Sequence, residues 1–160
     1  MKIALTGHSK GLGQALFNKL SLTHETLGFS RNNGYDIKNP DNRKKIIKES
    51  KDCDIFINLV HNYYHQTDLL LELHKSWKGL QKYIINIGTS AVDDENFGLN
   101  DYQLLEYKVQ KTTIVDMITT LKKSFQYPIL KLYSISEINF DTDISNLNSI
   151  IENDCQLSKT

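Results

Sequence analysis

The sequence predicts an α/β fold: one three-layer domain built on a doubly wound, mostly parallel sheet. Three observations predict it. Apolar runs of strand length alternate with longer amphipathic stretches, the signature of βαβ units. The 160 residues fit one compact domain and leave little room for a second. At 39% hydrophobic and 24% charged, the chain can bury a core and is far from a disordered composition.

Taken in order, Lys2 to Thr6 reads as a buried first strand. Gly11 to Leu20 reads as a helix, because Leu12, Leu16 and Leu20 recur on one face. Glu25 to Phe29 is a second strand, followed by the turn signal Asn32-Asn33-Gly34. Asn39-Pro40-Asp41 starts a helix running to about Ser50, with Pro40 in the first turn. Asp54 to Val60 is a third strand, apolar enough for a central place. Thr67 to Trp77 is a helix carrying Leu69, Leu70, Leu73 and Trp77, and Lys82 to Ile87 is the next strand. Tyr102 to Phe125 is a long helix, and Tyr127 to Tyr133 the last clear strand, with Pro128 suited to its start. The segment 136–160 reads as a short polar tail within the same 1–160 domain, with at most one short helix near Ile144 to Asn153. Right-handed crossovers assemble these pieces into the doubly wound sheet.

Composition excludes several classes. The formal net charge of zero argues against nucleic acid or an anionic membrane as partner. No stretch reaches the roughly 18 apolar residues of a membrane helix, and Met1 to Gly7 does not read as a signal peptide. Cys53 and Cys155 form no disulfide framework and read as reduced thiols of a cytoplasmic protein. The spacings of His8, His61 and His65 match no usual metal-ligand set, so no metal is expected.

The segment Thr6-Gly7-His8-Ser9-Lys10-Gly11-Leu12-Gly13 follows a strand and opens a helix. Its placement carries the information. Gly7 permits a tight turn, Gly11 lets backbone approach a pyrophosphate, and Gly13 allows close helix–strand packing. Free N–H groups from Ser9, Lys10, Gly11, Leu12 and Gly13, with the helix dipole, favour a diphosphate. The Gly-Lys-Ser/Thr ending of a nucleoside triphosphatase loop is missing. The arrangement is that of a Rossmann-type turn, and Thr-Gly-x-x-x-Gly-x-Gly resembles the short-chain dehydrogenase/reductase family.

The second strand ends Gly28-Phe29-Ser30-Arg31-Asn32, without the carboxylate that accepts a ribose diol in NAD-binding domains. Ser30 and Arg31 suit a 2′-phosphate instead, and the resemblance implies the same cofactor, NADP(H) rather than NAD(H). The resemblance implies that Asp36 contacts the adenine side; its alternative role is capping the turn before Pro40.

Tyr107 and Lys111 stand at i and i+4 on one helix face. A tyrosine is a poor proton donor or acceptor at neutral pH, and a nearby ammonium favours its phenolate. The lysine is also placed to hold a nicotinamide ribose. A lone Tyr-x-x-x-Lys recurs by chance; this one follows the strand ending Asn86-Ile87-Gly88-Thr89-Ser90. Aligned with the family, Thr89, with Ser90 next in line, takes the place of the hydroxyl that orients a substrate oxygen. Asn58-Leu59-Val60-His61 stands where many members read Asn-Asn-Ala-Gly. Only Asn58 matches; it is grouped with the cofactor side and also reads as a structural residue satisfying buried backbone. The bulk of the next three implies a thicker wall on the nicotinamide side. Asn62 is merely near the region of the family's active-site asparagine.

The resemblance covers about residues 1 to 135, with deletions. Beyond Tyr133 the family's Pro-Gly turn is replaced by Ser134-Ile135-Ser136-Glu137, and a reduced substrate lid is expected. The expectation is an NADP(H)-dependent oxidoreductase of a carbonyl or alcohol, acting on a small molecule. The helices at 67–77 and 102–125 correspond to the faces many family members use to associate, so the resemblance implies a homodimer or homotetramer. The alternatives are a non-catalytic dinucleotide-binding sensor or regulatory subunit, and a sugar-nucleotide epimerase or reductase fragment.

Overall fold

The computed structural model describes residues 1–135 and 140–155. The strands are β1 (Lys2–Thr6), β2 (Glu25–Phe29), β3 (Ile55–Asn58), β4 (Tyr83–Thr89) and β5 (Ile129–Ile135). The helices are α1 (Gly11–Leu20), α2 (Pro40–Glu49), α3 (His65–Ser76), α4 (Tyr102–Ser124) and α5 (Phe140–Ser149), and a π-turn follows at Ile150–Asp154. Every strand pair is parallel, in the order β2-β1-β3-β4-β5. The chain is therefore the single α/β domain with a Rossmann-type parallel sheet that the alternation predicts.

The strands are apolar because both faces are covered. In β3, Ile55, Phe56, Ile57 and Asn58 are all buried. Period-two alternation divides the core into two layers. Ala4, Phe56, Ile84 and Leu130 meet Ile46, Leu69, Leu70, Leu73, Trp77, Ile114 and Ile118 from α2, α3 and α4 and the turn after α3. Ile3, Leu5, Ile55, Ile57 and Ile85 meet Leu16 and Leu20 of α1 and Leu147 of α5.

The segment after β5 is more than a polar tail. Leu147, Ile151 and Cys155 are fully buried, and α5 lies against α1. Polar contacts fasten it: the Tyr133 hydroxyl donates to Asp143 Oδ1 (2.8 Å), and His24 Nε2 lies 2.6 Å from Glu152 Oε1. The helix begins at Phe140 rather than near Ile144, and of the turn at 134–137, Ser136 and Glu137 fall outside the described residues.

The sheet reverses its winding between β1 and β3, since β2 lies on one side of β1 and β3 to β5 on the other. A crevice beyond the carboxyl ends of the strands at such a reversal is where this architecture binds ligands. Thr6, Phe29, Asn58 and Thr89 end their strands on that edge.

Candidate functional site

The turn between β1 and α1 is built as its glycines require. Gly7 has φ of 80°, and its N–H donates to the Phe29 carbonyl at 2.7 Å, joining the ends of β1 and β2. Gly11 has φ of 50°. A Cβ on Gly13 would overlap the Gly7 carbonyl oxygen and lie 2.7 Å from the carbonyl carbon, so α1 starts directly against the turn. A Cβ on Gly28 would lie 2.7 Å from His8 Cδ2; the missing side chain there seats the His8 ring, which also packs on Phe17 at 5.0 Å. Thr6 Oγ1 accepts from the backbone N–H groups of Leu59 (3.0 Å) and Val60 (3.2 Å), fastening the loop after β3 to β1. Among the described residues no side chain caps α1, whose first amides keep their donors for a ligand.

A cleft of about 380 Å³ opens at this reversal point. Gly7, Ser9 and Lys10 form one side, Phe29 to Asn32 and Tyr35 to Ile37 a second, and Leu59 to Asn62 a third. Gly11, Leu12 and Gly13 are not in its walls: Leu12 and Gly13 are buried, and Gly11 is exposed. A small capping box shapes the second side. The Ser30 N–H donates to Asn33 Oδ1 at 2.8 Å, Asn33 Nδ2 donates to the Gly28 carbonyl at 2.9 Å, and Gly34 closes the turn with φ of 92°. Arg31 is exposed at the lip of this turn. Asp36 lines the cleft and accepts from the Lys38 N–H at 3.0 Å, whereas the cap of α2 is Asn39, whose Oδ1 accepts from the Asp41 N–H.

The second group of predicted residues lies at the end of β4 and on α4. Thr89 Oγ1 accepts from the Ala91 N–H at 3.3 Å, and Ser90 opens the short turn Ser90–Val92. Tyr107 is half-buried, with its ring edge-on to His61 at 4.9 Å and near Phe97 at 6.3 Å. One turn along α4, Lys111 is 4% exposed. Its ammonium donates to Gln66 Oε1 (2.9 Å) and the Ile87 carbonyl (3.1 Å), and burial lowers its pKa to about 8.

Asn58 does not face the cleft. It is fully buried, and its Nδ2 donates to the Gln66 carbonyl and to Asn86 Oδ1. Gln66 Nε2 in turn donates to the carbonyls of Asn58 (2.8 Å) and Ile87 (3.0 Å). Of the two roles open to Asn58, the geometry is that of the structural one.

Gln66 and Arg43 are not signalled by any motif, and His61 stands in a segment that matches the family's only at Asn58. Gln66 seats Lys111. Arg43, itself buried, donates through Nε and Nη2 to Glu72 and through Nη1 to the Ile37 carbonyl at 2.8 Å, fixing the far wall of the cleft. His61 lines the third wall, and burial, then the Lys111 ammonium, lower its pKa, opposed by a hydrogen bond with Gln110. Its position just past a strand on the ligand edge was the available signal.

The fold and crevice define a doubly wound α/β class of domain. No family profile matches the chain, and no curated protein does. Solved structures do. The 3-alpha-hydroxysteroid dehydrogenase of Pseudomonas sp. B-0831, solved with NADH, is 16% identical with a TM-score of 0.73, over 94% of this chain and 88% of that one. A short-chain dehydrogenase/reductase from Brucella ovis is 15% identical with a TM-score of 0.70, over 98% and 94%. One from Vibrio parahaemolyticus is 12% identical with a TM-score of 0.69, over 92% and 91%. What the chain shares with them is the fold of short-chain dehydrogenases/reductases. Among the described residues, no helix is long and apolar enough to cross a membrane, and no three His, Cys, Asp or Glu side chains gather as a metal site.

Proposed function

We propose that the chain is an NADP(H)-dependent oxidoreductase of the short-chain type, acting on a carbonyl or alcohol of a small molecule. One observation carries the reading. An uncapped glycine turn and an arginine-bearing lip frame a cleft whose third wall touches the ring of Tyr107, one helical turn from Lys111. The residues fit the adenosine and phosphate portions of the cofactor. The amides of Ser9 to Gly13 take the diphosphate, Ser30 and Arg31 the 2′-phosphate, and Asp36 with Ile37 the adenine side. When bound, the nicotinamide supplies or accepts the hydride.

The chain's own residues manage the proton and the geometry. The Tyr107 hydroxyl passes a proton to or from the substrate oxygen. Thr89 or Ser90 donates to that oxygen and holds it in register. An ammonium has three donors, and Lys111 has two partnered; the third is left for the ribose. The exposed Tyr102, Leu104 and Val109 of α4 support self-association as a homodimer or homotetramer, and the reading places the protein in the cytoplasm. In the test, Tyr107→Phe lowers turnover of a carbonyl panel with NADPH by about a hundredfold or more while NADPH binding persists. Full turnover by the variant refutes the mechanism.

A second reading, a non-catalytic dinucleotide-binding sensor, is favoured by the commitment of the Lys111 ammonium to Gln66 and Ile87. It expects NADPH uptake and no turnover by the unmodified protein.

A further inference from the structure

We propose that His61 decides how much of a dinucleotide this chain engages: its imidazole closes the cleft in front of Tyr107, so the adenosine 2′-phosphate end is held first and the nicotinamide end gains its contacts only when that ring leaves. The inference rests on the reading above and adds a specificity-determining residue to it.

Three observations lead there. First, the cleft stops short of the reactive group. His61 and Asn62 belong to its wall, whereas Thr89, Tyr107 and Lys111 do not. Second, a residue of the cleft wall, His61, is the one touching Tyr107. The two rings meet edge-on at 4.9 Å, and Phe97 stands 6.3 Å from the tyrosine ring, so Tyr107 is boxed by aromatic neighbours. Third, the loop bearing His61 is held down. Its Leu59 and Val60 amides are bound by Thr6 Oγ1, and Val60 packs so closely on the glycine turn that a Cβ at Gly7 would lie 2.7 Å from Val60 Cγ2. The loop backbone cannot swing aside without breaking those bonds, which leaves rotation of the His61 side chain as the way to reach Tyr107.

Chemistry agrees with a wall rather than a ligand contact. Burial and the adjacent Lys111 ammonium depress the pKa of His61, so the ring is neutral at pH 7 and offers phosphate no charge. The positive charge of the cleft lies at the other end, on Lys10 and Arg31.

The test compares two probes by calorimetry on the whole chain: adenosine 2′,5′-bisphosphate, which carries only the adenosine end, and NADPH. For the unmodified protein the two dissociation constants agree within about threefold. In His61→Gly and His61→Ala, NADPH binds about tenfold tighter while the bisphosphate changes less than about twofold, which also reports that both variants fold. Two results overturn the proposal: NADPH already binding about tenfold tighter than the bisphosphate before mutation, or an unchanged ratio in both variants. If neither probe binds any of the three proteins, the dinucleotide reading fails and this inference fails with it.

Discussion

Gly13→Ala weighs two opposed effects at the start of α1. Alanine is the better helix former by about 1 kcal/mol, which alone would stabilise the variant. Against it stands the Gly7 carbonyl. The added Cβ would lie 2.7 Å from the carbonyl carbon and closer still to its oxygen, with the His8 nitrogen 3.4 Å away. Carbon atoms pack at about 3.5–4.0 Å, so the deficit approaches 1 Å. Its neighbour is backbone, which cannot rotate away, so α1 must retreat from the turn. Overpacking of this kind costs about 1–3 kcal/mol, here at the upper end. The net loss is about 2 kcal/mol, a fall in Tm of about 4–8 °C for a domain of this size. Gly34→Ala is the control. Nothing lies within 4 Å of its Cβ, and only the φ of 92° opposes it, for about 1 kcal/mol and 2–4 °C. Thermal melts followed by circular dichroism measure both. A Gly13→Ala protein melting at or above the unmodified one would refute the claim that helix and turn are in direct contact.

Other expectations concern charge, the last helix and the cofactor. Lys111 has its folded pKa near 8 against an ordinary 10.5, so between those values the unfolded chain binds the extra proton. Stability therefore rises with pH across that window, by about 3 kcal/mol relative to Lys111→Met; parallel urea-unfolding curves for the two proteins from pH 7.5 to 10.5 would contradict it. Leu147→Ala should cost about 2–5 kcal/mol by chemical denaturation, because the side chain is fully buried between α5 and the sheet; a loss under about 0.5 kcal/mol would mean that α5 is not part of the core. Arg31→Ala should weaken NADPH about tenfold or more and leave NADH nearly unchanged, measured by fluorescence titration; equal losses for both would remove the 2′-phosphate role.

Local signals were legible where one period ran unbroken. β1, α1 and β2 have the bounds that apolar spacing and the glycine turn predict. β4 runs two residues past the expected Ile87, because Gly88 and Thr89 pair with Ser134 and Ile135 of a neighbouring strand that local sequence cannot reveal. α3 starts at His65, after tyrosines that carry no capping signal. The buried side of the last helical segment follows Ile144, Leu147, Ile151 and Cys155, a helical spacing hidden among Asp, Asn and Ser. At the site, the conformation of the turn was readable from its glycines alone. The Asn58–Gln66–Lys111 network was not, since its members are 8 and 45 residues apart in sequence and meet only through tertiary packing.

Arg43 and Gln66 give α3 an importance that its distance from the glycine turn conceals. Gln66 in its first turn braces Lys111 and the ends of β3 and β4, and Glu72 further along anchors the guanidinium that holds Ile37. Both ends of the ligand groove thus stand on a single rod. Sliding that rod by a fraction of a turn would displace the Ile37 wall and the Lys111 corner together, so under the proposed function repacking at Leu69 or Leu73 beneath it would be felt as a change in grip at both ends of the dinucleotide.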